Sequence, residues 1–453
     1  MSQVRDAIRS VSPKTILWIG FAVFVLYAFP GYMSNDSADQ LLDARGGAFS
    51  DAHPPVMAAE WRLLDQIIAG PILMLLVQGA LSLWGLYGIL RHVMARRAAS
   101  VSAVAVLLFP PVLTTMAVIW KDTQMAAFLI AGTAQLLSPS RRGRVLGLVL
   151  LSVGCAFRHN AFAAAVPLAG LLFVWRPGLR RWKRYAISAL ASVLVFLGAE
   201  VMTRALTVHH VGIVDSVALS DIAGVINYGR ERSDAELLET LRGTGLRDTT
   251  GIQAHCRELF SPRSTMPIFY GERPFFYLPG PTQHEDIRRA WREMVFGEPR
   301  AYFAYRGTAF AELLGLTESA LWLPVWTQFL GYPELRAYIH HNAGASKFQE
   351  TVIPGLFWTA FESPLFRPYL YAAIGLLLLL LCSRDALSFG LISGGLLYEL
   401  SYFPADNTVD FRYSHWMITV NVIAVVVLFA RRWRAGQRAR GVELAPVPAE
   451  VAA

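Results

Sequence analysis

Charge is what this sequence has least of. Only 16% of its 453 residues are Asp, Glu, Lys or Arg, where a soluble domain carries about a quarter. Cysteine is scarce too. Of three, Cys155 and Cys382 lie in apolar runs and Cys256 has no evident partner, so no disulfide framework can be read and the redox compartment stays open. No internal repeat is visible, which weighs against a transporter built on inverted repeats. A formal net charge of +8 raises the question of nucleic acid, yet no basic stripe or aromatic-interleaved groove supports it. The basic residues sit instead in short clusters between apolar runs.

Those runs account for the 54% hydrophobic content and the mean hydropathy of +0.40. "TILWIGFAVFVLYAF" and "YLYAAIGLLLLLLC" are typical. Crossing hydrocarbon takes about 20 mostly apolar residues, and a helix is the one single-segment way to satisfy the backbone there. The expected fold is an all-α integral membrane protein of about ten transmembrane helices: 15–33, 67–90, 99–120, 123–138, 145–157, 161–175, 185–206, 366–382, 386–403 and 415–430. The fifth and sixth are short for a full crossing. The first segment has a basic start but no clear small-x-small cleavage site, so it reads as a retained helix.

Alternating the spans puts the N-terminus, "RHVMARR", "SRRGR", "RPGLRRWKR", "SRD" and the tail "RRWRAGQRAR" on one side. Lys and Arg concentrate there, which marks that side cytoplasmic. The organisation expected is an N-terminal membrane module (1–206) with an outer loop at 34–66, then a mixed extracytoplasmic and interfacial domain (207–365). Closing helices (366–430) and a cytoplasmic tail (431–453) follow. Within the outer domain a helix is expected at 284–296. The final "GVELAPVPAEVAA" has the composition of a disordered end.

The unusual polar residues all fall at outer ends of spans: Asp36, Asp39, Asp51, His53, Lys121, Asp122, Arg158, His159, Asn160, Asp406, Asp410, Arg412 and Tyr413. Each has a plain structural reading. Asp36 and Asp39, three apart, share a helix face in any juxtamembrane turn. His53 before Pro54-Pro55 can simply end or start a helix. Lys121 and Arg158 can snorkel, and Asp410 with Arg412 can be a weak loop ion pair. Together, from five parts of the chain on one membrane face, they suit a charged, membrane-anchored substrate. No metal is assigned, because no ligand spacing is diagnostic. Asp36 and Asp39, with Asp51 and His53, would be the oxygen-rich candidates for Mg²⁺ or Mn²⁺.

The order of first span, Asp36, and then "GAFSDAHPP" resembles the first outer loop of the GT-C superfamily of membrane glycosyltransferases. The likeness is to its protein O-mannosyltransferase and lipid A aminoarabinose transferase branch. "WKDT" (120–123), "FRHNA" (157–161) and "DFRYSHW" (410–416) are similar to short motifs of bacterial members. Two departures stand out: Ser37 replaces the Glu of that family's Asp-Glu pair, and Val56 replaces the Leu after His-Pro-Pro. The resemblance implies a GT-C-like fold and an inverting transferase (EC 2.4) that uses a polyprenyl-phosphate sugar donor. It also implies an envelope lipid, polysaccharide or protein as acceptor, a periplasmic active site and Asp36 as the catalytic carboxylate. Asp39, His53, Lys121, Asp122, Arg158, His159, Asp410, Arg412 and Tyr413 are then candidates for substrate binding, with Lys121, Arg158 and Arg412 for the phosphate.

Two rivals differ in class. An O-antigen ligase or polymerase would take a polyprenyl-diphosphate glycan without needing an acidic residue in the first loop. A lipid-linked sugar transporter or flippase would place ionisable groups near the bilayer midplane, whereas Glu200, Arg204 and Glu399 lie near outer helix ends. The location expected is a bacterial inner membrane, multi-pass, with both termini cytoplasmic.

Overall fold

The computed structural model describes residues 11–442 apart from 51–52, 176–177, 210–212, 328–344, 383–384 and 406–407, together with Leu444 and Val447. Among these residues every regular element is helical, and extended pairing is limited to isolated bridges. The chain begins with α1 (Pro13–Ala28), α2 (Asn35–Gly46), α3 (Pro55–Asp65), α4 (Ile72–Arg91), α5 (Arg96–Leu107), α6 (Pro110–Met116), α7 (Lys121–Leu136), α8 (Arg141–Phe157), α9 (Phe162–Ala169) and α10 (Arg181–Leu206). Next come α11 (Ile213–Tyr228), α12 (Asp234–Thr240), α13 (Ile252–Leu259), α14 (His284–Gly297) and α15 (Pro299–Leu314). After α16 (Lys347–Glu362), the chain closes with α17 (Pro368–Leu381), α18 (Ala386–Ala405) and α19 (His415–Ala439).

A helix falls on each of the ten expected spans. Three described stretches are long and apolar enough to cross a membrane: α4, α10 and the run Phe411–Ala439. The segment expected as one span over 99–120 is broken: α5 and α6 meet at 68°. The cause is Pro110-Pro111, which disfavours helical geometry in Phe109 and cannot donate to the turn before it. The first span is shorter than expected, ending at Ala28 because Phe29-Pro30-Gly31 follows, with Gly31 at φ +112°.

Close helix contact is set by small residues. A Cβ on Gly85 would lie 2.7 Å from the Ala131 backbone N, and one on Gly147 2.8 Å from that of Leu136, so α4, α7 and α8 approach backbone to backbone. By contrast α10 turns Leu190, Leu194, Leu197 and Val201 outward, the apolar stripe that a lipid-facing helix presents. Helices α11–α15 and the segments between them carry a core of their own that includes Leu219, Ile226, Phe275, Phe276, Ile287 and Met294. The helix expected at 284–296 is α14.

At the base of that core Arg306 is fully buried. Its Nη2 lies 2.6 Å from Asp221 Oδ1, and Trp291 Nε1 donates to Asp221 Oδ2 at 2.8 Å. Removing one partner of such a pair leaves an uncompensated buried charge, so Arg306→Ala should cost about 3–5 kcal/mol. Chemical unfolding of the purified protein checks this, and a loss below about 1 kcal/mol would show that Asp221 finds another partner.

Candidate active site

Two chain segments that enter helices are zipped together at the centre of the site. Tyr32 N donates to Ala117 O at 3.0 Å and Ile119 N to Tyr32 O at 2.9 Å, a short parallel bridge. Ser34, the N-cap of α2, takes Trp120 Nε1 on its hydroxyl at 2.7 Å, and Ser37 Oγ donates to Ile119 O at 2.7 Å. From α4, Gln78 Nε2 donates to Met116 O and Val118 O at 2.7 and 3.1 Å. The start of α2, carrying Asp36, is thereby fixed against the start of α7, carrying Lys121 and Asp122. Both Asp36 and Asp122 sit in first turns, where the positive helix end favours a carboxylate.

A third segment arrives from the other end of the chain. Asp410 caps the 3₁₀ turn Phe411–Ser414 by accepting Arg412 N at 3.2 Å. Arg412 then reaches across: Nη2 to Asp36 Oδ2 at 2.6 Å, Nε to Asp410 Oδ2 at 2.9 Å and Nε to Asp122 Oδ2 at 3.9 Å. Its guanidinium also lies over the Trp120 ring at 4.8 Å. Arg158, just past α8, is bonded to Asp122 and lies 4.7 Å from the Tyr413 ring centre. Tyr413 in turn stacks on Tyr402 at 4.8 Å. From the start of α3, His53 Nδ1 meets Lys121 Nζ at 3.1 Å.

The result is a lattice of three carboxylates (Asp36, Asp122, Asp410) and three permanent or near-permanent cations (Lys121, Arg158, Arg412). Its charges balance. It is also closed on one side: Asp122 is 1% exposed, whereas the Asp36 side chain keeps 35% of its surface open. Asp36 is therefore the carboxylate that a ligand can reach. Burial raises its pKa, but Arg412 and Lys121 more than offset this, holding the carboxyl well below the usual carboxylate range.

Of the residues singled out in the sequence, Asp36, His53, Lys121, Asp122, Arg158, Asp410, Arg412 and Tyr413 come together here. Asp39 lies one turn along α2, half-buried and near Asp43, and His159 is exposed beside Arg158. Asn160 joins α18 by donating to Ser401 Oγ at 3.0 Å. Asp51 and Asp406 lie outside the described residues. Among the described residues no three His, Cys, Asp or Glu side chains gather for a metal ion, and Asp36 Oδ2 is engaged by Arg412. Sequence reasoning missed Trp120, Gln78 and the Tyr398–Tyr402 pair, whose hydroxyls are 2.7 Å apart. The four-residue spacing of those tyrosines at the outer end of a span was the available signal.

Glu60 on α3 has a different character. Burial alone pushes its carboxyl up to about 7, and Oε2 finds no hydrogen-bond partner among the described residues. With the folded pKa above the ordinary 4.5, stability held below that pH is lost as pH rises toward 7. Glu60→Gln should raise the melting temperature at pH 8 and leave it unchanged at pH 4. An equal shift at both pH values would remove titration as the cause.

Among the described residues the chain is thus all-helical, with three membrane-length helices and one partly exposed cluster of acidic and basic side chains. No protein-family model matches it, and no curated protein does. Among solved structures it is similar to the archaeal oligosaccharyltransferase AglB from Archaeoglobus fulgidus, in complex with an inhibitory peptide and a dolichol-phosphate. The identity is 14% and the TM-score 0.40, over 97% of this chain and 53% of AglB. The chain therefore spans about half the length of that protein. A likeness at that score decides neither fold family nor activity.

Proposed function

We propose that the protein is a GT-C-type membrane glycosyltransferase. It takes a sugar from a polyprenyl-phosphate donor and transfers it to an envelope lipid, polysaccharide or protein at the periplasmic face of a bacterial inner membrane. The observation that supports this most is the 2.6 Å contact between Asp36 and Arg412. It places an open carboxylate and a phosphate-type cation in one cleft, from opposite ends of the chain.

In this reading the donor phosphate competes with Asp36 for Arg412. A guanidinium is shaped for two phosphate oxygens and Lys121 adds a point charge. Once Arg412 turns to phosphate, Asp36 loses the cation that depresses its basicity. It then accepts the proton of the acceptor hydroxyl as that oxygen attacks the anomeric carbon. The bond from the anomeric carbon to phosphate oxygen breaks, and polyprenyl phosphate leaves with the electron pair. Arg412 and Lys121 meet the charge that develops there. One displacement inverts the anomeric centre.

Mass spectrometry of lipid extracts tests the reading in cells, comparing wild type with Asp36→Asn at matched membrane abundance. A single polyprenyl-phosphate sugar should accumulate in the variant while one envelope glycan loses one sugar. Accumulation of a polyprenyl-diphosphate oligosaccharide would favour a ligase or polymerase instead.

A further inference from the structure

His53 has a contact that restricts its chemistry. A Lys ammonium carries three donors and no acceptor, and Lys121 Nζ lies 3.1 Å from His53 Nδ1. Nδ1 must then be the accepting, unprotonated nitrogen, and the ring hydrogen resides on Nε2. The charged groups that act on the ring are Lys121 of α7, Asp36 of α2, Arg412 of the 411–414 turn and Arg158 at the end of α8. Three cations against one carboxylate oppose a second proton on the imidazole. Burial first, and then Lys121, push its pKa down to about 3. Pro54, directly after it, disfavours helical geometry at His53, and Pro55 then opens α3. Among the described residues nothing accepts a hydrogen bond from Nε2.

The charge balance of the cluster gives that N–H a use. A phosphodiester donor brings one negative charge, and the departing phosphate gains another as its bond to the sugar breaks. The lattice cations are already matched by three carboxylates, so a neutral donor adds stabilisation without burying a further charge. We propose that Lys121 fixes His53 as its neutral Nε2–H tautomer and that this N–H donates to the departing phosphate oxygen. The second half rests on the glycosyl-transfer reading, while the tautomer stands on geometry alone.

Two readouts on the reconstituted full-length protein separate these halves. With ¹⁵N-labelled histidine, the His53 signal is assigned by its loss in His53→Gln. It should show the Nε2-protonated neutral ring, unchanged between about pH 5.5 and 8. Lys121→Met should release the tautomer, so that the Nδ1-protonated neutral ring appears beside the Nε2-protonated one, while burial still opposes a second proton. A doubly protonated ring, an Nδ1-protonated ring, or titration of the wild-type signal in that range overturns the tautomer.

Sugar transfer from the polyprenyl-phosphate sugar that accumulates in Asp36→Asn cells supplies the second readout. His53→Gln, whose amide N–H can replace Nε2–H, should stay within about tenfold of wild type. His53→Asn and His53→Ala should lose about 10²–10³-fold in kcat, the usual effect of removing one such donor, with KM little changed. If Gln falls as far as Asn and Ala, or if the loss is in KM alone, the donor role is overturned. A wild-type protein that shows the tautomer but transfers no sugar overturns the glycosyl-transfer reading and the donor role together, and upholds the tautomer.

Discussion

If the protein is the proposed transferase, Asp36→Asn should lower sugar transfer by about 10²–10⁴-fold, the range that general-base catalysis supplies, without loss of the folded protein. The effect should fall on kcat, since the amide keeps the size of the side chain and can accept a hydrogen bond from Arg412 but cannot take a proton. Donor binding should survive or tighten, because Arg412 no longer shares its charge with Asp36. In the wild type that competition involves a 2.6 Å ion pair whose carboxylate is 35% exposed, so it can be exchanged for a ligand at modest cost. A pH profile adds a second check. Asp36 is held ionised well below the usual range in the free protein, so kcat/KM should show no carboxylate limb down to about pH 4. A variant that keeps wild-type kcat would return Asp36 to the role of a polar residue in the first turn of α2.

Arg412→Ala should be the more damaging change, because it fails twice. It removes the phosphate-binding cation, and it strands Asp36, Asp410 and Asp122 with Lys121 and Arg158 alone. Asp410 and Asp122 are 4% and 1% exposed, so water cannot replace the guanidinium. Breaking a buried pair in this way costs about 3–5 kcal/mol, enough to lower membrane abundance severalfold. Arg412→Ala combined with Asp410→Asn removes one stranded charge and should regain part of the stability. It should regain none of the transfer. Recovery of both together would mean that Arg412 serves the fold and has no part in the chemistry. Arg412→Lys should fold but bind donor less well, since an ammonium cannot reproduce a two-oxygen fork.

Much of the helical layout was legible in the sequence, because apolar runs of membrane length leave the backbone little alternative. The break between α5 and α6 was legible too, in "FPP", but a long apolar window from 99 to 120 hid it. The alternation of spans led to the expectation that the polar residues share one face, and eight of them do come together in the folded chain. Which of them touch did not. Asp36 and Arg412 are 376 positions apart, and no periodicity links one helix start to a 3₁₀ turn that far along the chain. Trp120 and Tyr402 were missed for a related reason: aromatic residues at span ends are expected as interfacial anchors. Only the folded chain places one over Arg412 and the other behind Tyr413. Lys121 and His53 were both noted, yet their contact, and the tautomer it selects, depends on the turn before α3 meeting the start of α7.

The most direct test is conversion of a lipid-linked donor by the isolated protein. Wild-type protein in liposomes would be supplied with the lipid fraction of Asp36→Asn cells, with and without an acceptor-containing envelope extract. The account predicts loss of one polyprenyl-phosphate sugar, appearance of polyprenyl phosphate and transfer of that sugar to a single acceptor class, none of it with Asp36→Asn protein. Consumption of a polyprenyl-diphosphate glycan, or equal conversion by the variant, would contradict it.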